Sequence, residues 1–320
     1  MRWLTIGVAV LALLWSAWWF VGARAVERGA LAGIEAARAE GWAIEYDDLS
    51  VAGFPNRFDT TVTAPRLAAP DGQVTWSAPF LQVFALSYRP NQVIAVAPEE
   101  MRFDLPAGEV RVASGDLRAS ATFSPSTEPE LDRATIVARS LAATGGGIEL
   151  TLEAAQLAIR RIDGDTTYDV ALDAGGLWLG EASYTALDPF ASLPPTIETM
   201  DADLSVSLDR PLGAGGAAEV TGIDLRSARL RWGELQAQLA GVVRIDAAGF
   251  PEGQIGLEME GWQAALRLLA AAGVVGTEQL SLLSAGLAGM EEEGRIALDF
   301  VLEGGEMRLG PIPLGPAPRF

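Results

Sequence analysis

The chain has 320 residues and a mass of 33.7 kDa, with 42 acidic against 23 basic residues and a net charge of −19. Every basic residue is Arg; Lys, His and Cys are absent. That excludes disulfides, thiolate and imidazole metal sites, Ser-His-Asp or Ser-Lys catalysis, Cys nucleophiles and the lysines of P-loops and Schiff bases. The acidity also disfavours a nucleic-acid partner, which needs a cationic footprint. Only Asp, Glu and Tyr remain for acid–base work. A two-carboxylate glycosidase is the one common enzyme class still open, and so many acids single out no pair. The expectation is a chain with no catalytic residue, no metal and no cofactor.

At the N-terminus, Arg2 is followed by no charge until Arg24, leaving 21 residues from Trp3 to Ala23. As a helix this stretch measures about 31 Å, the thickness of a hydrocarbon core. Trp15, Trp18, Trp19 and Phe20 cluster toward its far end, where an interfacial aromatic belt belongs. The positive N-terminal flank places Met1 in the cytoplasm and the rest outside. Ala23-Arg24-Ala25 also fits a signal-peptide cleavage site, but the apolar stretch exceeds the roughly 7–15 residues of a signal core, so an uncleaved anchor is expected. Both routes export the chain. Residues 1–23 are then a transmembrane anchor, 24–41 a helical stalk and 42–320 one periplasmic β-rich domain, attached to the inner membrane by a single pass.

The stalk, Ala25–Glu40, is rich in Ala, Glu and Arg, with Leu31 and Ile34 on one face and Glu35 in reach of Arg38. Gly41 is a natural stop. After it the period changes to two. Trp42, Ile44 and Tyr46 alternate with Ala43, Glu45 and Asp47, as expected of a half-buried strand. The pattern returns at Ile148–Leu152, Tyr168–Leu172, Leu204–Leu208, Ile255–Met259 and Ile296–Phe300. Turn signals fall between such runs: Pro70-Asp71-Gly72, Ala107-Gly108, Gly145-Gly146-Gly147, Asp163-Gly164 and Gly215-Gly216. Many alternating strands with short polar turns predict an antiparallel sheet with one apolar face. Ser124–Pro129 is the best candidate boundary, but strand pattern runs on both sides, so one continuous sheet is expected.

Three segments depart from the β pattern. Trp262–Ala272 and Thr277–Met290 have helical apolar spacing and predict a small hairpin of helices, and a short helix is expected near Leu187–Leu193. The Pro/Gly-rich tail from Leu309 cannot be helix. Gly53-Phe54-Pro55 and Gly249-Phe250-Pro251 each follow a Trp-led strand. Each reads as a Gly for an unusual φ, an aromatic plugging a sheet end and a Pro that stops pairing.

The candidate chemistry is thin. Asp163-Gly164-Asp165 lacks the further ligands of a Ca²⁺ loop and reads as a turn. Glu291-Glu292-Glu293 reads as a solvated turn. Arg226, Arg229 and Arg231 with Trp232 form the densest basic cluster, with Arg229 and Arg231 on the strand face opposite Leu230 and Trp232. Arg57 is expected to pair with Asp59. Trp76, Trp178 and Trp232 are expected to pack on the sheet.

Three stretches carry a resemblance. Trp42–Phe58 contains Gly53-Phe54-Pro55-Asn56-Arg57-Phe58; Trp76-Ser77-Ala78-Pro79 leads into Leu86-Ser87-Tyr88-Arg89-Pro90-Asn91; and Gly261-Trp262 precedes Leu309-Gly310-Pro311-Ile312-Pro313-Leu314-Gly315. Together with the anchor these resemble the bacterial family known as domain of unknown function 2125, over nearly the whole chain. The signature residues are Gly53, Phe54, Pro55, Arg57, Trp76, Tyr88, Trp262, Gly310 and Pro311, with structural roles expected. The resemblance implies an architecture similar to AsmA-like envelope proteins: a membrane helix and then a long curved antiparallel sheet, as a groove or a flattened barrel. It implies no catalytic residue. Two occupants of the apolar face follow as alternatives: a lipid bound or passed along a groove, or, in a scaffold of the cell envelope, the protein's own side chains, with an envelope protein as partner.

Overall fold

The N-terminal sequence folds as a single helix, α1 (Arg2–Ala39), which crosses the expected anchor–stalk boundary unbroken and stops at Gly41, whose φ is 97°. The computed structural model describes residues 2–126, 128–162, 166–213, 218–273, 276–309 and 312–319. The strands are β1 (Ala43–Glu45), β2 (Asp48–Ala52), β3 (Arg57–Thr63), β4 (Arg66–Ala68), β5 (Thr75–Ser77), β6 (Phe80–Leu86), β7 (Arg89–Val96), β8 (Glu100–Leu105), β9 (Gly108–Phe123), β10 (Leu131–Gly145), β11 (Ile148–Arg161) and β12 (Thr167–Leu179). After helix α2 (Glu181–Leu187) come β13 (Thr196–Leu208), β14 (Val220–Trp232), β15 (Leu235–Ile245) and β16 (Pro251–Glu260). Helices α3 (Trp262–Ala271) and α4 (Thr277–Ala288) form the expected pair, and β17 (Arg295–Glu303), β18 (Glu306–Leu309) and β19 (Ile312–Pro316) close the chain.

All the pairings are antiparallel, and the sheet is one meander in chain order. From β9 to β19 each strand pairs with the next. Before β9 the strands are broken into halves. β2, β3, β6 and β7 pair in one arm and β1, β4, β5 and β8 in the other; the two arms join the two halves of β9. On either side of the 124–129 segment β9 and β10 pair directly through Phe123 and Leu131, within the one sheet.

The halves are separated along one crease. Asp47, Ala64-Pro65, Ala78-Pro79 and residues 97–99 interrupt the first strands, where Pro cannot donate to a ladder. Gly115, Ser140, Glu153, Gly176 and Glu198 continue the line, each skipped in the pairing of its neighbours. Ala64 (φ 48°), Ser140 (φ 49°) and Gly176 (φ 66°) make the bend with left-handed backbone. The extra residue shifts the alternation by one, so the apolar side chains stay on one side across the bend. On β11 they run Leu150, Leu152, then Ala155, Leu157; on β12, Leu172, Ala174, then Leu177, Leu179.

The sheet is open. The flattened barrel expected as one alternative does not form, and helices rather than a meeting of edges cover the ends of the apolar face. The accessible surface of 18,901 Å² confirms this, since a compact chain of this mass exposes about 12,700 Å². One core lies at the far end. Leu179, Ile197, Trp232 and Leu235 pack with Leu193 and with Ala264 of α3, while Trp262, Leu266, Leu287, Ile296 and Leu298 join α3 and α4 to β17. The helix expected near Leu187–Leu193 lies earlier, at α2. The later segment is a strap, because buried Asp188 accepts hydrogen bonds from the Leu193 N–H (2.8 Å) and the Ser192 hydroxyl (3.0 Å), and Pro194-Pro195 follow.

The polar face is laced by cross-strand ion pairs: Arg160–Asp169 (3.0 Å), Arg229–Asp201 (2.9 Å), Arg295–Glu260 (3.1 Å), and Arg226 on both Asp203 and Asp169. The hydrogen bond from Arg226 holds the Asp203 carboxyl below the usual range; those from Arg160 and Ser205 do the same for Asp169.

Two outcomes are expected. Gly176→Ala forces an L-residue into left-handed backbone and lowers stability by about 1–2 kcal/mol, whereas Ser140→Gly raises it, both read from denaturant unfolding in detergent. Arg226→Ala lowers the melting temperature at pH 7. Because its partners' carboxyls titrate lower when folded, the difference is fully present above about pH 4 and shrinks as the pH falls through the depressed values.

Candidate functional site: the anchor junction and the apolar face

Helix α1 lies on β1, β2 and β3 with a stripe at helical spacing: Trp19, Gly22, Ala23, Val26, Ala30, Ile34 and Ala37 are buried or half-buried. Buried Trp19, Ala23 and Phe58 form a small core with Val26 and Val51. Gly22 makes it possible. A Cβ there would sit 2.5 Å from the Phe58 ring, so only Gly lets the helix approach. The Trp19 indole N–H donates to the Arg57 carbonyl at 2.7 Å and that of Trp15 to the Pro55 carbonyl at 3.0 Å. Trp19 meets Phe54 edge-on at 5.5 Å, and Phe20 stacks on Phe54 at 5.9 Å.

The turn beneath these aromatics is the Gly53–Phe58 stretch. Gly53 has φ 98°, and a Cβ on it would meet the Arg57 carbonyl and the Asp59 carboxylate at 2.9 Å. The Phe54–Pro55 peptide is cis. Arg57 pairs with Asp59 at 2.7 Å, as expected, and its guanidinium lies 5.8 Å from the centre of the Phe84 ring. The neighbouring β6–β7 turn is tied in by the Ser87 N–H, which donates to the Asn56 carbonyl at 2.9 Å; exposed Tyr88 follows. The fold thus assembles five of the signature residues, Gly53, Phe54, Pro55, Arg57 and Tyr88, on the helix. Trp76 and Trp262 are elsewhere. Trp76 is half-buried on the apolar face beyond the crease, in the row Ile44, Leu67, Trp76, Phe103, Val110. Trp262 is buried at the start of α3, its indole N–H donating to Glu291 at 2.9 Å. Gly310 and Pro311, with Asp163-Gly164-Asp165 and Gly215-Gly216, lie outside the described residues.

From the junction one face of the sheet runs apolar without a break. Directly paired residues share a face. One row reads Phe58, Ala85, Val93, Ala121, Ala134, Ile159, Val170, Leu204, Leu225, Gly241, Ile255, Phe300, Leu309. The row beside it reads Thr60, Val83, Ala95, Ala119, Ile136, Leu157, Leu172, Ala202, Ala228, Leu239, Leu257, Leu298. At ~4.8 Å per strand the second row is about 50 Å long. α1 covers its beginning and α3 with α4 its end. Between them Ile136 and Leu172 remain 42% and 38% exposed.

Two members of the arginine cluster on β14 are held in ion pairs, Arg226 on Asp203 and Asp169 and Arg229 on Asp201. Trp232 packs in the core as expected, whereas Trp178 stands on the polar face, 39% exposed. The Glu291-Glu292-Glu293 run is a turn into β17, and among the described residues no group of three or more acids is placed to hold a metal ion. Sequence reasoning missed Trp15, Trp19 and Gly22 as sheet contacts. Their spacing of four, three and then four to Val26 was the available signal.

The family model described as "Uncharacterized protein conserved in bacteria (DUF2125)" matches residues 19–318. No curated protein and no solved structure matches the chain.

The junction gives a direct expectation. Gly22→Leu must push α1 off Phe58 and, with Trp19 displaced, costs about 3–5 kcal/mol, comparable to Phe58→Ala. Limited proteolysis of the full chain in detergent reads it as new cleavage between Gly41 and Gly53.

Proposed function

The chain belongs to the family of domain of unknown function 2125, and from that premise we propose a single-pass membrane protein whose bulk is exported and whose apolar sheet face holds lipid acyl chains without catalysing a reaction. α1 is long and apolar enough to cross a membrane. Retention of the anchor is supported by packing. Cleavage after Ala25 would remove Trp15, Trp19 and Gly22 and strip the cover from Phe58. Arg2 on the N-terminal flank argues for a cytoplasmic side there, hence a periplasmic sheet at the inner membrane.

The observation that carries the lipid reading is the apolar face itself. It begins under the anchor, crosses the sheet through paired Ala, Val, Ile and Leu residues, and is left open in its middle at Ile136 and Leu172. Open apolar surface of this extent needs an occupant, and an acyl chain matches its lack of polar groups. The acidic polar face, with its arginines paired, supports solubility on the other side.

A photoreactive benzoylphenylalanine at Leu157 or Leu172 in the full chain, irradiated in living cells, is expected to crosslink to lipid, and one at Gln238 on the polar face is not. Leu157→Glu with the probe at 172 should abolish the adduct. Crosslinks to the protein's own segments or to another protein at both positions would instead give the scaffold reading. A periplasm-dependent reporter fused to the C-terminus checks orientation, and an inactive fusion overturns the export.

A further inference from the structure

The point at which α1 leaves the sheet conflicts with a simple picture of anchor and soluble domain. Between Arg2 and Trp18 the side chains are exposed except at Ser16, and Trp15 is hydrogen-bonded to the 53–58 turn; the buried stripe begins at Trp19. From Arg2, the charge that bounds the apolar stretch, the fourteen residues to Trp15 rise only ~20 Å, against ~30 Å of hydrocarbon. A bilayer spanned from Arg2 therefore reaches past Trp15 to the level of Phe20 and Val21, and the 53–58 turn, hydrogen-bonded to Trp15 and Trp19, is carried into it.

The turn is built for that position. Four of its carbonyls are satisfied without water: that of Gly53 accepts from the Arg57 N–H, that of Pro55 from Trp15, that of Asn56 from the Ser87 N–H and that of Arg57 from Trp19, and Pro55 has no N–H to satisfy. Its exposed side chains are those of an interface. Phe54, Phe20 and Tyr88 are each more than half exposed, as is Trp18 on the helix. In a chain of net charge −19, the charged residues of the 53–58 and 86–91 turns are Arg57, which is paired with Asp59, and Arg89.

We infer that the 53–58 and 86–91 turns are a second, non-spanning membrane contact, seated in the headgroup layer of the bilayer that α1 crosses, with Phe54 and Tyr88 at the acyl boundary and Arg89 among the lipid phosphates. This rests on α1 being an anchor. It fixes the start of the apolar face at the bilayer surface rather than at the end of a stalk.

The chain has no Cys, so single labels can be placed cleanly. The full chain carrying Phe54→Cys, Tyr88→Cys, Val10→Cys or Val242→Cys is labelled with an environment-sensitive fluorophore and reconstituted in phosphatidylcholine–phosphatidylglycerol vesicles. Labels at 54 and 88 are expected to emit to the blue of the label at 242 and to be quenched by lipids brominated near the glycerol. The label at 10 is quenched by lipids brominated deeper, and the label at 242 by aqueous iodide alone. If 54 and 88 behave as 242 while 10 stays in lipid, the inference fails and the anchor stands. If 10 is also in water, the anchor reading itself falls.

Discussion

The contact between Gly22 and the Phe58 ring is what the rest of the molecule hangs on. Without a side chain at position 22 the helix comes close enough for Trp19 to be buried and to reach the Arg57 carbonyl. Burial of the indole and its hydrogen bond then lock the 53–58 turn. That turn begins β3, and β3 begins the apolar rows. A membrane-type helix and an extended sheet would otherwise be two bodies on a flexible joint. Here the stripe from Trp19 to Ala37 makes them one.

The sheet has its own constraint, which is to bend without turning its apolar side chains to water. A period-two pattern cannot bend sharply and keep register with both faces. The crease resolves this by leaving residues unpaired in the strands up to β13, from Asp47 through Ser140 and Gly176 to Glu198. Because these strands make the shift on one line, their ladders stay matched. The cost is left-handed backbone at Ala64 and Ser140.

The two faces divide the chemistry. On the polar face nearly every cation named here lies against a carboxylate of the adjacent strand, which offsets like-charge crowding in an acidic chain. The apolar face carries no such groups along its central rows, and it is flanked by helices at both ends. The proposed lipid track and the proposed membrane contact meet at one place, the junction, where five of the signature residues gather. Three of them hold the joint by visible contacts: Gly53 through its φ, Pro55 through the carbonyl that accepts from Trp15, and Arg57 through its pair with Asp59.

Much of the architecture was legible locally. The uncharged run to Arg24, Gly41, the six alternating stretches and the two C-terminal helices all appear where composition and period put them. A strand such as β11 reads short because the alternation was followed only as far as the crease, which lies just after Leu152. A one-residue shift looks like the end of a strand when no neighbour is present to show the ladder resuming. The barrel alternative stayed open for a related reason: closure depends on how edges meet, which no single strand encodes. The helix read at Leu187–Leu193 was displaced by buried Asp188, a side chain whose partners are set by the strap it ties. The amino-acid order alone therefore determined an anchor-like helix, strands of period two and the exclusion of thiol, imidazole and lysine chemistry, since these are properties of residue type and local spacing. The tertiary structure decided the docking of Trp19 on Phe58, the shared crease and the open apolar face, since each depends on residues far apart in sequence meeting in one register.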